Sequence, residues 1–213
     1  MVRWETATFA QKEKFLLSKY SPSSTFVANR VIEPFYLVDQ PPYVSAILNT
    51  VQKPWSSELQ GRNVLVVHPF SETIVSQYNK HRSGKHLFRR EDVLPSFTLK
   101  TVKTFMTLAG APPPHGSWTE TLEATKRLID AQAPFDVVLL GCGSYGMPLT
   151  RYVWEKHNAT AVYVGGGLQL LFGIKGKRWD DENGKLLYNE HWVRPLSSDR
   201  PSGAGKVEGG AYW

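Results

Sequence analysis

From residue 61 to residue 172 the chain alternates short apolar runs with longer amphipathic stretches, and glycine or proline stands at most of the junctions. Asn63 to Val67 (Asn-Val-Leu-Val-Val), Asp136 to Leu140 (Asp-Val-Val-Leu-Leu) and Thr160 to Val164 (Thr-Ala-Val-Tyr-Val) are continuous and rich in β-branched residues. That pattern predicts strands covered on both faces. Phe97, Leu99 and Thr101 alternate with polar positions after Leu94-Pro95 and predict a further strand. A polar helix is expected from about Thr73 to His81. Another should start at the N-cap Ser117, which has Glu120 three residues on, and run past Leu122, Leu128 and Ile129 to about Gln132. A third follows Gly141, Gly143 and Gly146, with Pro148 in its first turn, where a missing N–H is tolerated. Leu168 to Phe172 reads as a short apolar helix after Gly165-Gly166-Gly167. Upstream, helical spacing over Thr8 to Tyr20 ends at Ser21-Pro22, and Pro41 to Val51 places Val44, Ile47, Leu48 and Val51 on one face. Both helices are expected to pack on the sheet.

Strand, loop and helix thus recur three times, after Val67, Leu140 and Val164, the last two loops being rich in glycine. The expected fold class is α/β: a Rossmann-like, mostly parallel sheet with helices on both faces. We expect one domain, with an N-terminal helical extension over residues 1–60, the Rossmann-like core over 61–193, and an extended tail over 194–213. The tail is rich in Pro, Ser and Gly and should be anchored by Tyr212 and Trp213. Ligands of such sheets bind beyond the carboxyl ends of the strands. His68 to Glu72, Gly141 to Gly146 and Gly165 to Gln169 should therefore face one crevice.

A length of 213 residues suits one well-buried α/β domain, and a hydrophobic fraction of 41% with seven Trp, nine Tyr and ten Phe indicates a packed globule. The lone Cys142 excludes an internal disulfide. With no signal-peptide pattern at the start, the expected compartment is the cytoplasm, and no apolar run approaches the roughly 20 residues of a membrane span. A net charge of +6 favours an anionic partner. The basic residues are dispersed and lack zinc-finger spacing or a long basic helix, which ranks a phosphate-bearing ligand above nucleic acid.

Gly141, Gly143 and Gly146 match G-x-G-x-x-G in a strand-to-helix context, which aims backbone N–H groups and a positive dipole end at an anion. A dinucleotide site also needs an acid about 20 residues on, and so does a methyltransferase loop; the next strand ends in three glycines instead. Both readings are demoted, although an S-adenosylmethionine-dependent methyltransferase stays as an alternative. No G-x-S-x-G elbow occurs, and Cys142 reads as a small buried residue rather than a nucleophile. The six histidines show no metal-ligand spacing.

Several stretches carry a resemblance: Tyr163 to Trp179, with its Gly-Gly-x-x-Gln-Leu-Leu-Phe-Gly run, Gly141 to Leu149, and Val207 to Trp213, together with His68 to Ile74 and Asn189 to Arg194. From about residue 60 onward the chain resembles the GT-D fold-like glycosyltransferase domain family. It is more weakly similar to a domain of the multidomain glycosyltransferases that large algal viruses use on capsid glycans. The resemblance implies a transferase that takes a sugar from a nucleotide diphosphate sugar, UDP-sugars being favoured and UDP-L-rhamnose included, to a glycan acceptor. It also leaves open that the chain is one domain of a larger multidomain enzyme. Founding members carry a D-x-E metal motif for Mn or Mg. The literal match, Asp180-Asp181-Glu182, runs into Asn183-Gly184 and reads as a hairpin turn, so no metal ligand and no certain cofactor are assigned.

Under that resemblance, glycosyl transfer needs a base for the acceptor hydroxyl and neutralisation of the departing diphosphate. Glu72 and His68, at one strand end, are the candidate catalytic residues. Gly141, Gly143, Ser144, Tyr145, Gly146, Gly165, Gly166, Gly167 and Gln169, with Lys175 and Arg178, are candidates for the donor. Tyr188 and Trp192 would line an acceptor groove, since sugars pack C–H faces on aromatic rings. A non-catalytic nucleotide- or glycan-binding module is the alternative from another class.

Overall fold

The computed structural model describes residues 54–213 except 89, 107–111, 181–187 and 202. The two helices expected before residue 52 lie outside the described residues. Strands β1 (Asn63–His68), β2 (Thr98–Lys103), β3 (Val137–Leu140) and β4 (Thr160–Tyr163) form one sheet in the order β2-β1-β3-β4, every pair parallel. The fold is α/β and Rossmann-like, as the recurring units predict. Helices α1 (Ser71–Arg82), α2 (Trp118–Asp130) and α3 (Gly146–His157) make the three crossovers, and the short α4 (Leu168–Leu171) follows β4.

The strand order decides where each helix lies. The chain moves outward from β1 to β2, then back past β1 to β3 and on to β4. Right-handed crossovers therefore put α1 on one face and α2 with α3 on the other. Alternation along the strands sends Leu65, Val67, Val102, Val138 and Leu140 to the second face, where they pack with Leu122 and Ile129 of α2 and Leu149 and Val153 of α3. Val64, Val66 and Leu139, also fully buried, point to the α1 face. The direction reverses between β1 and β3, so the topological switch point lies between the loops that follow them.

Local chemistry sets the element ends. Ser117 Oγ accepts from the Glu120 N–H at 3.1 Å, and Glu120 returns to the N–H of Gly116 rather than to that of Ser117. β2 begins at Thr98, one residue later than the alternation suggests. The Tyr78 hydroxyl accepts from the Phe97 N–H and donates to its carbonyl, each at 2.7 Å, so Phe97 is held outside the ladder. Asn158 ends α3 with a left-handed φ of 51°.

Residues 188–213 are not simply extended. Val193 pairs with Ile174 in a single parallel bridge, two 3₁₀ turns follow at Ser197–Asp199 and Ala204–Lys206, and Gly209 and Gly210 turn the chain with positive φ. The segment returns over the carboxyl ends of the strands. There the Trp213 ring meets Phe70 edge-on at 6.0 Å, and Tyr212 packs on Gly166.

Candidate functional site

At the end of β1, His68 is buried, and its Nδ1 accepts the Phe70 N–H at 2.9 Å. Burial pushes its pKa down to about 3, only partly opposed by the Asp199 carboxylate, so the ring is neutral. With Nδ1 used as an acceptor, the ring proton sits on Nε2. The ring's Cδ2 and Nε2 atoms lie against Gly141, where an added Cβ would stand 2.4 Å from His68 Cδ2 and 2.9 Å from the Gly165 carbonyl oxygen. Gly141 thus lets the loops after β1, β3 and β4 close on one another.

Glu72 stands in the first turn of α1. Its carboxylate accepts from Lys103 Nζ at 2.7 Å and from Ser198 Oγ at 2.8 Å. Those two hydrogen bonds, Lys103 first, lower its pKa, so it is ionised at neutral pH. It remains half-exposed beside the strand ends. Lys103, the last residue of β2, also stands 2.8 Å from Asp199 Oδ1. The structure therefore brings Glu72, Lys103 and Ser198 together, with His68 beneath, on one side of the switch point.

On the other side, Gly143 opens the turn into α3 with φ +58° and empty space around it. Among the described residues no side chain caps this end; the Gly146 N–H is taken by the Gly143 carbonyl, and the N–H groups of Gly143, Ser144 and Tyr145 are those left at the mouth of the turn. Ser144 is exposed and accepts from the Trp118 indole N–H at 3.3 Å. Tyr145 is buried, and Trp118 stacks on it with 5.1 Å between centroids and 8° between planes. Trp118 is 46% exposed. Because α2 runs antiparallel to the strand it precedes, its first residue arrives at the carboxyl end of the sheet, which is how Trp118 joins this loop.

The remaining predicted donor residues are engaged inside the fold. Gly146 lies against the Tyr163 ring, which a Cβ would approach to 2.2 Å, and Gly166 lies against the Tyr212 ring at 2.4 Å. Gly165 and Gly167 bound the 3₁₀ turn that leads into α4. Gln169 is fully buried, and its amide donates to the carbonyls of Ile174 and Tyr212. Lys175 sits over the Tyr188 ring at 5.2 Å, while Arg178 sits over the Tyr212 ring at 4.8 Å and pairs with Glu208. Trp192 is buried, donates to the Leu87 carbonyl at 2.8 Å, and packs with Phe88 and Tyr188. Leu87 follows the end of α1 remote from the strand carboxyl ends. Cys142 is buried, and burial raises its thiol pKa to about 12, which makes it a poor nucleophile.

Sequence reasoning overlooked Trp118, Lys103, Asp199 and a cation-lined cleft. The cleft, of about 390 Å³, is lined by Lys177, Asp180, Arg194, Pro195, Arg200 and Trp213. Trp118 had a usable signal, an aromatic directly after an N-cap; the others carry none, because they meet only through the return of the 188–213 segment. Asp180, the described part of the D-x-E match, is bound to Arg194 at 2.5 Å within this cleft. A carboxylate paired with a guanidinium among cations does not fit a divalent-metal ligand. Among the described residues no three His, Cys, Asp or Glu side chains gather as a metal group, and no helix is long and apolar enough to cross a membrane.

Comparison with protein-family models, with curated proteins and with solved structures found no match.

Proposed function

We propose that this protein is a nucleotide-sugar-dependent glycosyltransferase acting on a glycan acceptor, with its donor site at the switch point between β1 and β3. One juxtaposition carries the reading: the turn that opens α3, with Gly143 open, lies beside the half-exposed Trp118 indole, which stacks on Tyr145 and donates to Ser144. Such a corner supplies N–H donors for an anion and a flat apolar wall for a base or sugar. The favoured donor is a UDP-sugar, UDP-L-rhamnose among them.

In this reading the charge developing on the departing diphosphate is met by the N–H groups of Gly143 to Tyr145, in the turn that opens α3. Glu72, ionised and half-exposed, receives the acceptor proton; its bonds to Lys103 and Ser198 orient it, at a cost in basicity. His68 is a positioning residue, since its buried neutral ring holds the loops after β1 and β3 in register. The GT-D-like resemblance of the sequence points the same way.

The test is release of nucleoside diphosphate from UDP-, GDP- and dTDP-sugars by the 213-residue chain, alongside thermal shifts with the same ligands, S-adenosylmethionine and NAD. A ligand at 100 times its Kd should add about 2.7 kcal/mol. Stabilisation and turnover with one nucleotide sugar are expected. Stabilisation by S-adenosylmethionine or NAD alone overturns the reading, and binding of a nucleotide sugar without turnover reduces the protein to a binding module.

A further inference from the structure

We infer that the cleft lined by Lys177, Arg194, Arg200 and Trp213 is a binding site for a phosphate-bearing small molecule, separate from the corner at Gly143 and Trp118.

The charge count comes first. Among the described residues three cations and one carboxylate, Asp180, line the cleft, a net of two positive charges in a cavity of about 390 Å³, which falls within the size range of small-ligand sites. Gathering like charges is unfavourable, and the contacts within the fold use them only in part. Asp180 fixes Arg194 through one terminal nitrogen, which leaves the rest of the guanidinium fork unused by that bond. Lys177 donates to the Gly209 carbonyl at 2.9 Å, which leaves two of its three N–H donors. Arg200 is exposed, and among the described residues no hydrogen bond or ion pair engages its guanidinium. The surplus therefore points outward, toward an anion.

The cleft is also rigid. The Trp213 indole donates to the Asp199 carbonyl at 3.3 Å and abuts Phe70, so the cleft has a fixed apolar wall. Asp199, the neighbour of Arg200, is anchored on α1 through Thr73, and this fixes the backbone that carries Arg200. Planar guanidinium forks on a rigid base recognise the tetrahedral oxygens of phosphate better than mobile surface lysines do. Two surplus charges match a phosphate monoester or a diphosphate.

This rests on the transferase reading only for the natural occupant, which would be a phosphate carried by the acceptor, since that reading seats the donor's diphosphate at the start of α3; the chemistry recognised is the phosphate dianion. The probe is inorganic pyrophosphate, titrated calorimetrically into the full chain and into Arg200→Gln, with Arg151→Gln on α3 as control. Arg151 is exposed and pairs with Glu155. Arg200→Gln should weaken pyrophosphate binding about tenfold, Lys177→Gln with Arg200→Gln about a hundredfold, and Arg151→Gln should leave it unchanged. Circular dichroism checks that each variant is folded. Absence of pyrophosphate binding in the unmutated chain, or equal affinity in Arg200→Gln, overturns the site.

Two further titrations separate the sources. UDP weakened by Arg200→Gln would put the donor's diphosphate in the cleft and overturn its separateness from the corner at Gly143 and Trp118. Glucose 1-phosphate weakened while UDP is unchanged assigns it to a phosphorylated acceptor. Pyrophosphate binding that depends on Arg200 with no turnover of any nucleotide sugar would sink the transferase reading and leave the site standing. Turnover with Arg200-independent binding would do the reverse.

Discussion

Asp199 caps the first turn of α1 from 126 positions further along the chain: its Oδ2 accepts the Thr73 N–H at 3.0 Å and the Thr73 hydroxyl at 2.7 Å. Its other oxygen lies 2.8 Å from the Lys103 ammonium, as an ion pair rather than a directed hydrogen bond. A buried carboxylate thus joins the 194–213 segment to α1 and to the end of β2, and it does so directly beneath Glu72.

Asp199→Ala should destabilise the fold by about 2–4 kcal/mol, because it removes a helix cap, leaves the buried Thr73 N–H and hydroxyl without their acceptor, and takes from Lys103 one of its two carboxylates. Asp199→Asn, which keeps one acceptor oxygen, should cost less. Urea unfolding midpoints at constant m-value decide this, and equal midpoints for Asp199→Ala and the unmutated chain would contradict the cap.

Acid should unfold the protein earlier than its carboxylates alone require. The folded His68 has its pKa lowered to about 3. Between that value and the ordinary histidine value near 6.5, the unfolded chain takes up a proton that the folded chain refuses. Stability therefore falls as pH falls from about 6.5, by roughly 2 kcal/mol between pH 7 and pH 5 from this residue. His81, whose pKa is lowered by burial, acts in the same direction. Glu72, also lowered, contributes stability that is lost further down, through the glutamate range. Denaturation curves at pH 7, 6 and 5 should show this slope, and His68→Asn should flatten it; an unchanged slope in that variant would show that His68 is not its source.

Three glycines of the site should respond differently to alanine. Gly141→Ala meets the Gly165 backbone oxygen as well as His68, so it should destabilise by about 2–3 kcal/mol. Gly143→Ala meets no atom and should cost only about 1 kcal/mol, through its positive φ. Gly166→Ala strikes the Tyr212 ring, so adding Tyr212→Ala should relieve part of the loss. Strict additivity of the last pair would refute that contact.

Under the transferase reading, Glu72→Gln should lower kcat by about 10²–10⁴-fold. It should barely move Tm, since the bonds it weakens lie at the surface. Trp118→Ala should instead raise KM for the donor, and donor binding should quench tryptophan fluorescence in the unmutated chain but less in this variant. A Glu72→Gln enzyme with full kcat removes that residue from the chemistry.

Strands β1, β3 and β4, the N-cap at Ser117 and the parallel α/β class are legible in the sequence because they are local. Continuous β-branched runs, glycines at the turns and a Ser-x-x-Glu signature act over a few residues, and a right-handed crossover follows from a strand-helix-strand order alone. The three loops at the strand ends are legible for the same reason.

Only the tertiary structure decided what those loops do. Gly141, Gly146 and Gly166 read as places where a ligand could approach; the fold fills them with His68, Tyr163 and Tyr212, side chains that a sequence motif cannot place. Trp192 reads as a sugar platform but spends its ring and N–H on the packing around Leu87 and Phe88. Asp199, Arg194 and Arg200 carry no local signal, since their partners stand elsewhere in the chain, and a contact across 126 residues is set by packing rather than by propensity. The sequence by itself determined the strands, the helices and the sheet end at which a ligand would lie; the return of residues 188–213 over that end decided which side chains remain free to meet one.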